Sequence, residues 1–276
     1  MNKAYLLNQR FENEGLKIDK NRVIIYSQSS CLFNCKYCFK AGMNQNKTKN
    51  NEYLSIEQLN LLEKLPSKVN LIMLGCDTEF FHSLHPMKVL DKVSDLDKDI
   101  SLISKIPLSK IYIEKIKQIN EKLSNANHIF VFSISLPVLY HVKDFEPSSS
   151  DPYKRIESLK ALHNLNIKTL VAIRPLLPNI GKKELEDIVT LTKDYCNGYY
   201  SGPLYVKNLE ESLFFKRISK DLKIEKIQPH WMPQGNLFYK LEKPEQMELL
   251  TTIVQTNKKQ IFEGAADTIN YLKFIK

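Results

Sequence analysis

Three cysteines fall within eight residues, Cys31-Leu32-Phe33-Asn34-Cys35-Lys36-Tyr37-Cys38. Thiolates recurring at four- and three-residue steps can converge on a metal, whereas packing gives free cysteines no reason to recur at such steps. An iron–sulfur cluster ordinarily takes four thiolates. Three leave one iron with an open position, and an open position separates a catalytic metal site from a structural one. Structural zinc is the competing reading; it would need a fourth ligand from Cys76, Cys196 or a histidine.

The elements around this loop follow from the apolar pattern. Val23-Ile24-Ile25-Tyr26 reads as a first strand delivering the chain into the cysteines. The polar stretch Met43 to Asn51 reads as a surface segment. Ser55 with Gln58 forms a capping box opening a helix whose apolar face is Ile56, Leu59, Leu62 and Leu65. Buried strands are then expected at Val69–Leu74, Ile100–Ser104, His128–Ser135 and Ile167–Ile173, with a weaker one at Tyr199–Val206 interrupted by Pro203. Helical patterns lie between them at Pro86–Val93, Ser109–Leu123, Asp151–Leu165 and Lys182–Tyr195. Repeated βα units imply a parallel sheet with right-handed crossovers.

The expectation is an α/β fold, a partial (β/α)6 TIM-type barrel over residues 23–206. A lead-in of residues 1–22, partly helical around Tyr5 to Glu14, precedes it. A C-terminal helical extension of residues 207–276 follows, with patterns around Phe214, Leu249 and Tyr271, and is a candidate substrate lid. In its loop Gln228–Gly235, His230-Trp231 suits base stacking or closure of the barrel mouth, with a tryptophan packed under a proline loop as the plainer alternative.

In parallel barrels reactive groups gather beyond the C-terminal ends of strands. The cysteine loop, Gly75 to Glu79, Ser104-Lys105, Ser133 and Ser135, and Arg174 all fall at such ends. A lysine or glutamate there is more commonly a rim ion pair, and Cys76 alone would pass for a small buried hydrophobe. His82 and His85 follow closely on Glu79 and read as solvated loop residues, and Cys196 as structural.

Of 276 residues, 43% are hydrophobic and 26% charged, the balance of a folded globular chain rather than a disordered one. Lys and Arg number 40 against 31 acids, a formal charge of +9. That favours a polyanionic partner, although a solvated lysine surface explains it equally well. No apolar run is long enough to span a membrane, and the first residues lack the apolar core of a signal peptide. Five cysteines, three of them clustered, argue against a disulfide framework, so a reducing cytoplasm is the expected compartment.

The CxxxCxxC pattern after a first strand, with Tyr37 and Phe39 flanking the last cysteine, resembles the radical S-adenosylmethionine superfamily. The resemblance implies a 4Fe-4S cluster on Cys31, Cys35 and Cys38, whose open iron chelates S-adenosylmethionine and drives its cleavage to a 5'-deoxyadenosyl radical. It also implies an electron donor of the reductase, flavodoxin or ferredoxin type. Leu74-Gly75-Cys76-Asp77-Thr78-Glu79 departs from the usual Gly-Gly-Glu-Pro-like segment and is similar to the spore photoproduct lyase branch. There Cys76 falls on a hydrogen-atom donor, and Thr78 and Glu79 on residues contacting the methionine moiety. Lys105 would face the methionine carboxylate, and Ser133 or Ser135 would reach the ribose or carboxylate. Tyr37 would stack on or shield the adenine. Phe145-Glu146-Pro147, Arg155 and Arg174-Pro175 continue the likeness, with Arg174 among the cofactor contacts. Phe39 stands where the lyase has a tyrosine, so no phenol relay runs through it. The implied function is hydrogen abstraction from a nucleic acid, in lesion repair or modification. The alternatives are a peptide or small-metabolite substrate, or a metal-binding module without catalysis.

Overall fold

The computed structural model describes residues 9–27, 29–42, 51–209 and 222–274. The start of the lead-in, the polar stretch 43–50 and the pattern around Phe214 lie outside the described residues.

Six parallel strands form the body: β2 (Arg22–Ile25), β3 (Leu71–Leu74), β4 (Asp99–Ser104), β5 (Phe130–Ser135), β6 (Lys168–Ile173) and β7 (Gly198–Ser201). Each lies within one residue of an expected strand or inside it, because each is a run of β-branched and apolar residues buried on both faces. The sheet gains two edges. β1 (Leu16–Asp19) pairs antiparallel with β2 through the tight turn at Lys20-Asn21, with Lys20 at φ +57°. The short β11 (Ile261–Phe262) pairs parallel with β7. The strand order runs linearly from β1 to β11, so the barrel stays open along a seam between those strands.

The run Tyr199–Val206 divides at Pro203. Proline has no N–H for the ladder, and β8 (Leu204–Val206) leaves the barrel to join β9 (Lys223–Ile227) and β10 (Phe238–Glu242) in a three-stranded antiparallel sheet. The C-terminal extension is therefore mixed: this sheet plus the helices Pro244–Thr256 and Ala265–Phe274.

Alternation along the strands sorts the core into two layers. Val23, Ile25, Ile72, Leu74, Phe130 and Phe132 face outward into a layer shared with the surrounding helices. Ile24, Tyr26, Leu71, Met73, Val131 and Leu170 face inward, where they meet Ala265, Ala266, Ile269 and Leu272. The helix Ala265–Phe274 thus fills the hollow of the barrel, and Lys273 at its end pairs with Asp99 at 2.5 Å. The cysteine loop, the segment after β3, the end of β4 and Arg174 all leave from the opposite, C-terminal ends of the strands.

Candidate functional site

The rim is built by close crossings of backbone. Gly75 leaves β3 at φ +79°, and a Cβ there would stand 2.1 Å from the Ile103 carbonyl oxygen. Only glycine lets this turn pass so close to β4. Its N–H donates to the Tyr53 hydroxyl at 2.5 Å, anchoring the segment that carries Cys76, Asp77, Thr78 and Glu79.

Cys31, Cys35 and Cys38 line one cavity of about 170 Å³ together with Tyr37, Cys76, Thr78, Glu79, Lys105, Ser135 and Arg174. These residues come from the ends of five different strands, as the rim pattern predicts. Ser133 is the exception: it is fully buried one step deeper in β5 and faces Tyr200 rather than the cavity. Alternation puts both serines on the inward face, and only the one nearer the strand end reaches the rim. His82 packs edge-on against Phe33, with ring centroids 4.5 Å apart, and His85 is an exposed helix cap with φ +51°. Neither lines the cavity. Cys196 is buried near Tyr199, away from the rim.

Charges under the cysteine loop are paired within the protein. Lys105 Nζ lies 3.0 Å from Glu146 and donates to Ser135 Oγ at 2.6 Å and Tyr37 at 3.0 Å. The Tyr37 phenol also donates to Glu146, and Arg155 pairs with Glu146 at 2.6 Å, both side chains fully buried. Burial would push the Glu146 carboxyl up, but Lys105 and Arg155 outweigh it and hold it at about 2. Tyr37 therefore serves as a wall and as a bond in this network. Glu79 accepts from Ser104 Oγ at 2.8 Å, Lys105 N–H at 2.8 Å and Phe81 N–H at 3.3 Å. Its anionic form is thus prepared by three donors, although burial pulls its pKa upward. Lys40 ties the cysteine loop down: it pairs with Asp77 at 2.7 Å and donates to Thr78 Oγ1 at 3.1 Å and the Ser27 carbonyl at 2.9 Å.

Lys40 and Asp77 carry no role in the sequence reading, and the Glu146–Arg155–Lys105 connection is absent from it. Their one local signal is adjacency, Lys40 to Phe39 and Asp77 to Cys76; the Lys40–Asp77 pairing itself spans 37 residues.

Burial drives two thiols upward. Cys35 is pushed to about 12, with Lys105 opposing and Glu146 and the other two cysteines adding. A metal binding there must displace a proton. Cys76 is pushed to about 12 by burial and Asp77, with Arg22 and Arg174 opposing, so it stays a thiol at neutral pH. Among the described residues no three His, Cys, Asp or Glu side chains converge on a single-ion site. The three cysteines line one cavity, and a set of soft sulfur donors is the chemistry that an iron–sulfur group takes.

No protein-family model and no curated protein sequence matches the chain. Solved structures do. A point variant of spore photoproduct lyase superposes with a TM-score of 0.61 at 13% identity, covering 90% of this chain and 78% of that one. A lyase variant with bound AdoMet and dinucleoside spore photoproduct gives 0.58 at 12%, covering 84% and 73%. SuiB of Streptococcus suis bound to precursor peptide SuiA gives 0.51 at 12%, covering 72% of this chain. The chain spans less than half of SuiB, 42% of it in that complex. The resemblance carried by the cysteine loop therefore extends to the fold, a partial barrel shared with these enzymes.

Proposed function

We propose that this chain is a radical S-adenosylmethionine enzyme, with Cys31, Cys35 and Cys38 holding a 4Fe-4S cluster. The observation that carries the reading is the common cavity shared by those three thiols, Cys76, Glu79 and Lys105. When bound, the cluster supplies an open iron for S-adenosylmethionine and the electron for its reductive cleavage. The protein's own residues do the rest. Glu79, whose carboxylate accepts from three donors that oppose the upward pull of burial, suits the methionine ammonium; Lys105 and Ser135 suit its carboxylate; Thr78 lies beside them. The buried Lys105–Glu146–Arg155 chain holds Lys105 in one geometry, and Tyr37 and Phe39 keep water from the cavity. Cys76, a thiol, would give a hydrogen atom to a carbon-centred substrate radical: its S–H bond breaks and a C–H bond forms, and the sulfur radical regains S–H by taking one electron from the reductase-, flavodoxin- or ferredoxin-type donor and one proton from solvent.

The substrate proposed first is a nucleic acid, supported by the net charge and by the lyase likeness, which extends over more of the partner chain than that to SuiB. A peptide is the second reading, favoured by SuiB's complex with SuiA. Anaerobic reconstitution is expected to load about four irons per chain and to release 5'-deoxyadenosine with dithionite. A chain that takes up no iron and forms no deoxyadenosine sinks the proposal. Binding to a short DNA or RNA that weakens steeply with salt supports the first substrate; peptide binding with no such dependence supports the second.

A further inference from the structure

A second, larger cavity of about 650 Å³ adjoins the cysteine cavity, sharing Arg174, Pro203, Tyr205 and Trp231 with it, and is within the size range of ligand sites. It occupies the seam of the barrel. Its walls are the β1–β2 turn at one edge of the sheet, the segment after β11 at the other, and the three-stranded sheet above. Arg174 and Trp231 line this cavity, the cysteine cavity and a third one inside the barrel, of about 130 Å³, which also exposes Cys76.

Arg174 is placed with care and left without a counter-ion. Its guanidinium lies 5.9 Å from the Trp231 ring centre. Its Nη1 donates to the Glu263 carbonyl oxygen at 2.9 Å, and among the described residues no carboxylate pairs with it. Gly202 clears the space, since a Cβ there would stand 3.1 Å from Arg174 Cζ. From the other edge of the sheet Arg22 reaches the same spot: Nη1 of each arginine lies 3.9 Å from where a Gly264 Cβ would be. Arg22 is half neutralised by Asp19 at 2.6 Å, and Asp267 Oδ2, 3.6 Å from that point, pairs with neither guanidinium. Over the whole lining six Lys and Arg side chains face three carboxylates. One of those carboxylates, Glu242, is already taken by Lys240 at 2.7 Å. Two guanidiniums facing one cleft in which cations outnumber carboxylates favour an anion between them.

We infer that the seam cavity is the substrate site, and that Arg174 clamps an oxyanion of the substrate there against the face of Trp231. A guanidinium presents two parallel N–H groups to a phosphate or carboxylate. Arg174 also lines the interior cavity that Cys76 shares, so a group held by Arg174 lies next to the space that thiol faces. This moves Arg174 from the cofactor contacts to substrate binding, and it rests on the radical reading for the word substrate.

Trp231 is the single tryptophan, so its emission reports on the site without cluster or cofactor. The full chain is titrated with pyrophosphate, a dinucleoside monophosphate and succinate. The expected result is a saturable change in emission that weakens with salt for at least one of them. The affinity should fall at least tenfold in Arg174→Gln and less in Arg174→Lys, which keeps the charge and loses the fork. Response to the phosphates alone marks a phosphate-bearing substrate; response to succinate alone marks a carboxylate. Should Arg174→Gln fail to fold, Lys20→Gln/Lys243→Gln, on the cavity wall, is expected to weaken binding severalfold and flatten the salt dependence. No response to any probe at concentrations on the order of 10 mM, or unchanged affinity in the variants, overturns the inference. An anion site in a chain that never forms deoxyadenosine would instead count against the radical reading and leave the site standing.

Discussion

Around the cysteine cavity the buried carboxylates find partners inside the protein, Glu146 in Lys105 and Arg155, Glu79 in three donors and Asp77 in Lys40, which takes one of its two oxygens and leaves Oδ1 without a partner among the described residues. Along the seam, which Trp231 also lines, cations outnumber carboxylates, and among the described residues Arg174 meets a backbone oxygen and the Trp231 ring but no carboxylate. On the proposed reading the contrast separates two tasks. A site for a fixed cofactor is preorganised, so its charges are held by one another before anything binds. A site that must admit and release a substrate keeps its charge unspent, and the incoming anion completes it. The first arrangement stabilises the fold; the second contributes to binding and little to folding.

Mutations can break the contrast, beginning with the cysteines. Cys35→Ser is expected to abolish iron loading and deoxyadenosine formation while leaving the circular dichroism spectrum of the chain unchanged; retained loading would remove the cluster assignment. Glu146→Gln comes next. It leaves Arg155 and Lys105 facing a neutral group in a closed interior, at a cost of about 3–5 kcal/mol by denaturant titration. Because the Glu146 carboxyl is held at about 2, below its unfolded value, its stabilisation is present above roughly pH 5 and lost as pH falls toward 2. The gap between parent and variant should therefore close on acidification, and a gap independent of pH would show that the ion pairs are not its source. Gly75→Ala should cost about 3 kcal/mol, from the left-handed backbone and the collision with Ile103. Tyr26→Phe removes the bond from its hydroxyl to the Trp231 carbonyl at 2.8 Å. It should cost about 1 kcal/mol and shift Trp231 emission. The smallest effect is the most telling: Lys223→Gln on the seam should change stability by no more than about 0.5 kcal/mol. A larger loss there would mean that the seam charges serve the fold after all.

Much of this was legible in the sequence, and for local reasons. Six parallel strands stood out because their residues are apolar on both faces, and the rim because glycine, serine and charged residues punctuate their ends. Proline 203 announced a break without telling where the chain went next. β1 and β11 were not visible, being two to four residues long and, in β1, alternating apolar with charged residues. β9, Lys-Ile-Glu-Lys-Ile, is almost wholly exposed and has no apolar run to read. Ser133 and Ser135 were indistinguishable because alternation fixes a face and says nothing of depth. The partnership of Lys40 with Asp77, or of Arg22 with Arg174 across the seam, exists only once the sheet has curled, and no window of sequence contains both members.

The helix that fills the barrel hollow has a consequence for how the molecule is made. Residues 265–274 supply the packing for Leu71, Met73, Val131 and Leu170, yet in the chain they follow β7, the last of the six body strands, by more than sixty residues, with only the short edge strand β11 shortly before them. Without them, the parallel strands can pair and their outer helices can dock, but the inner face stays uncovered and wet. A chain that ends before residue 265 would leave that inner apolar face without its cover, the kind of exposed surface that favours aggregation.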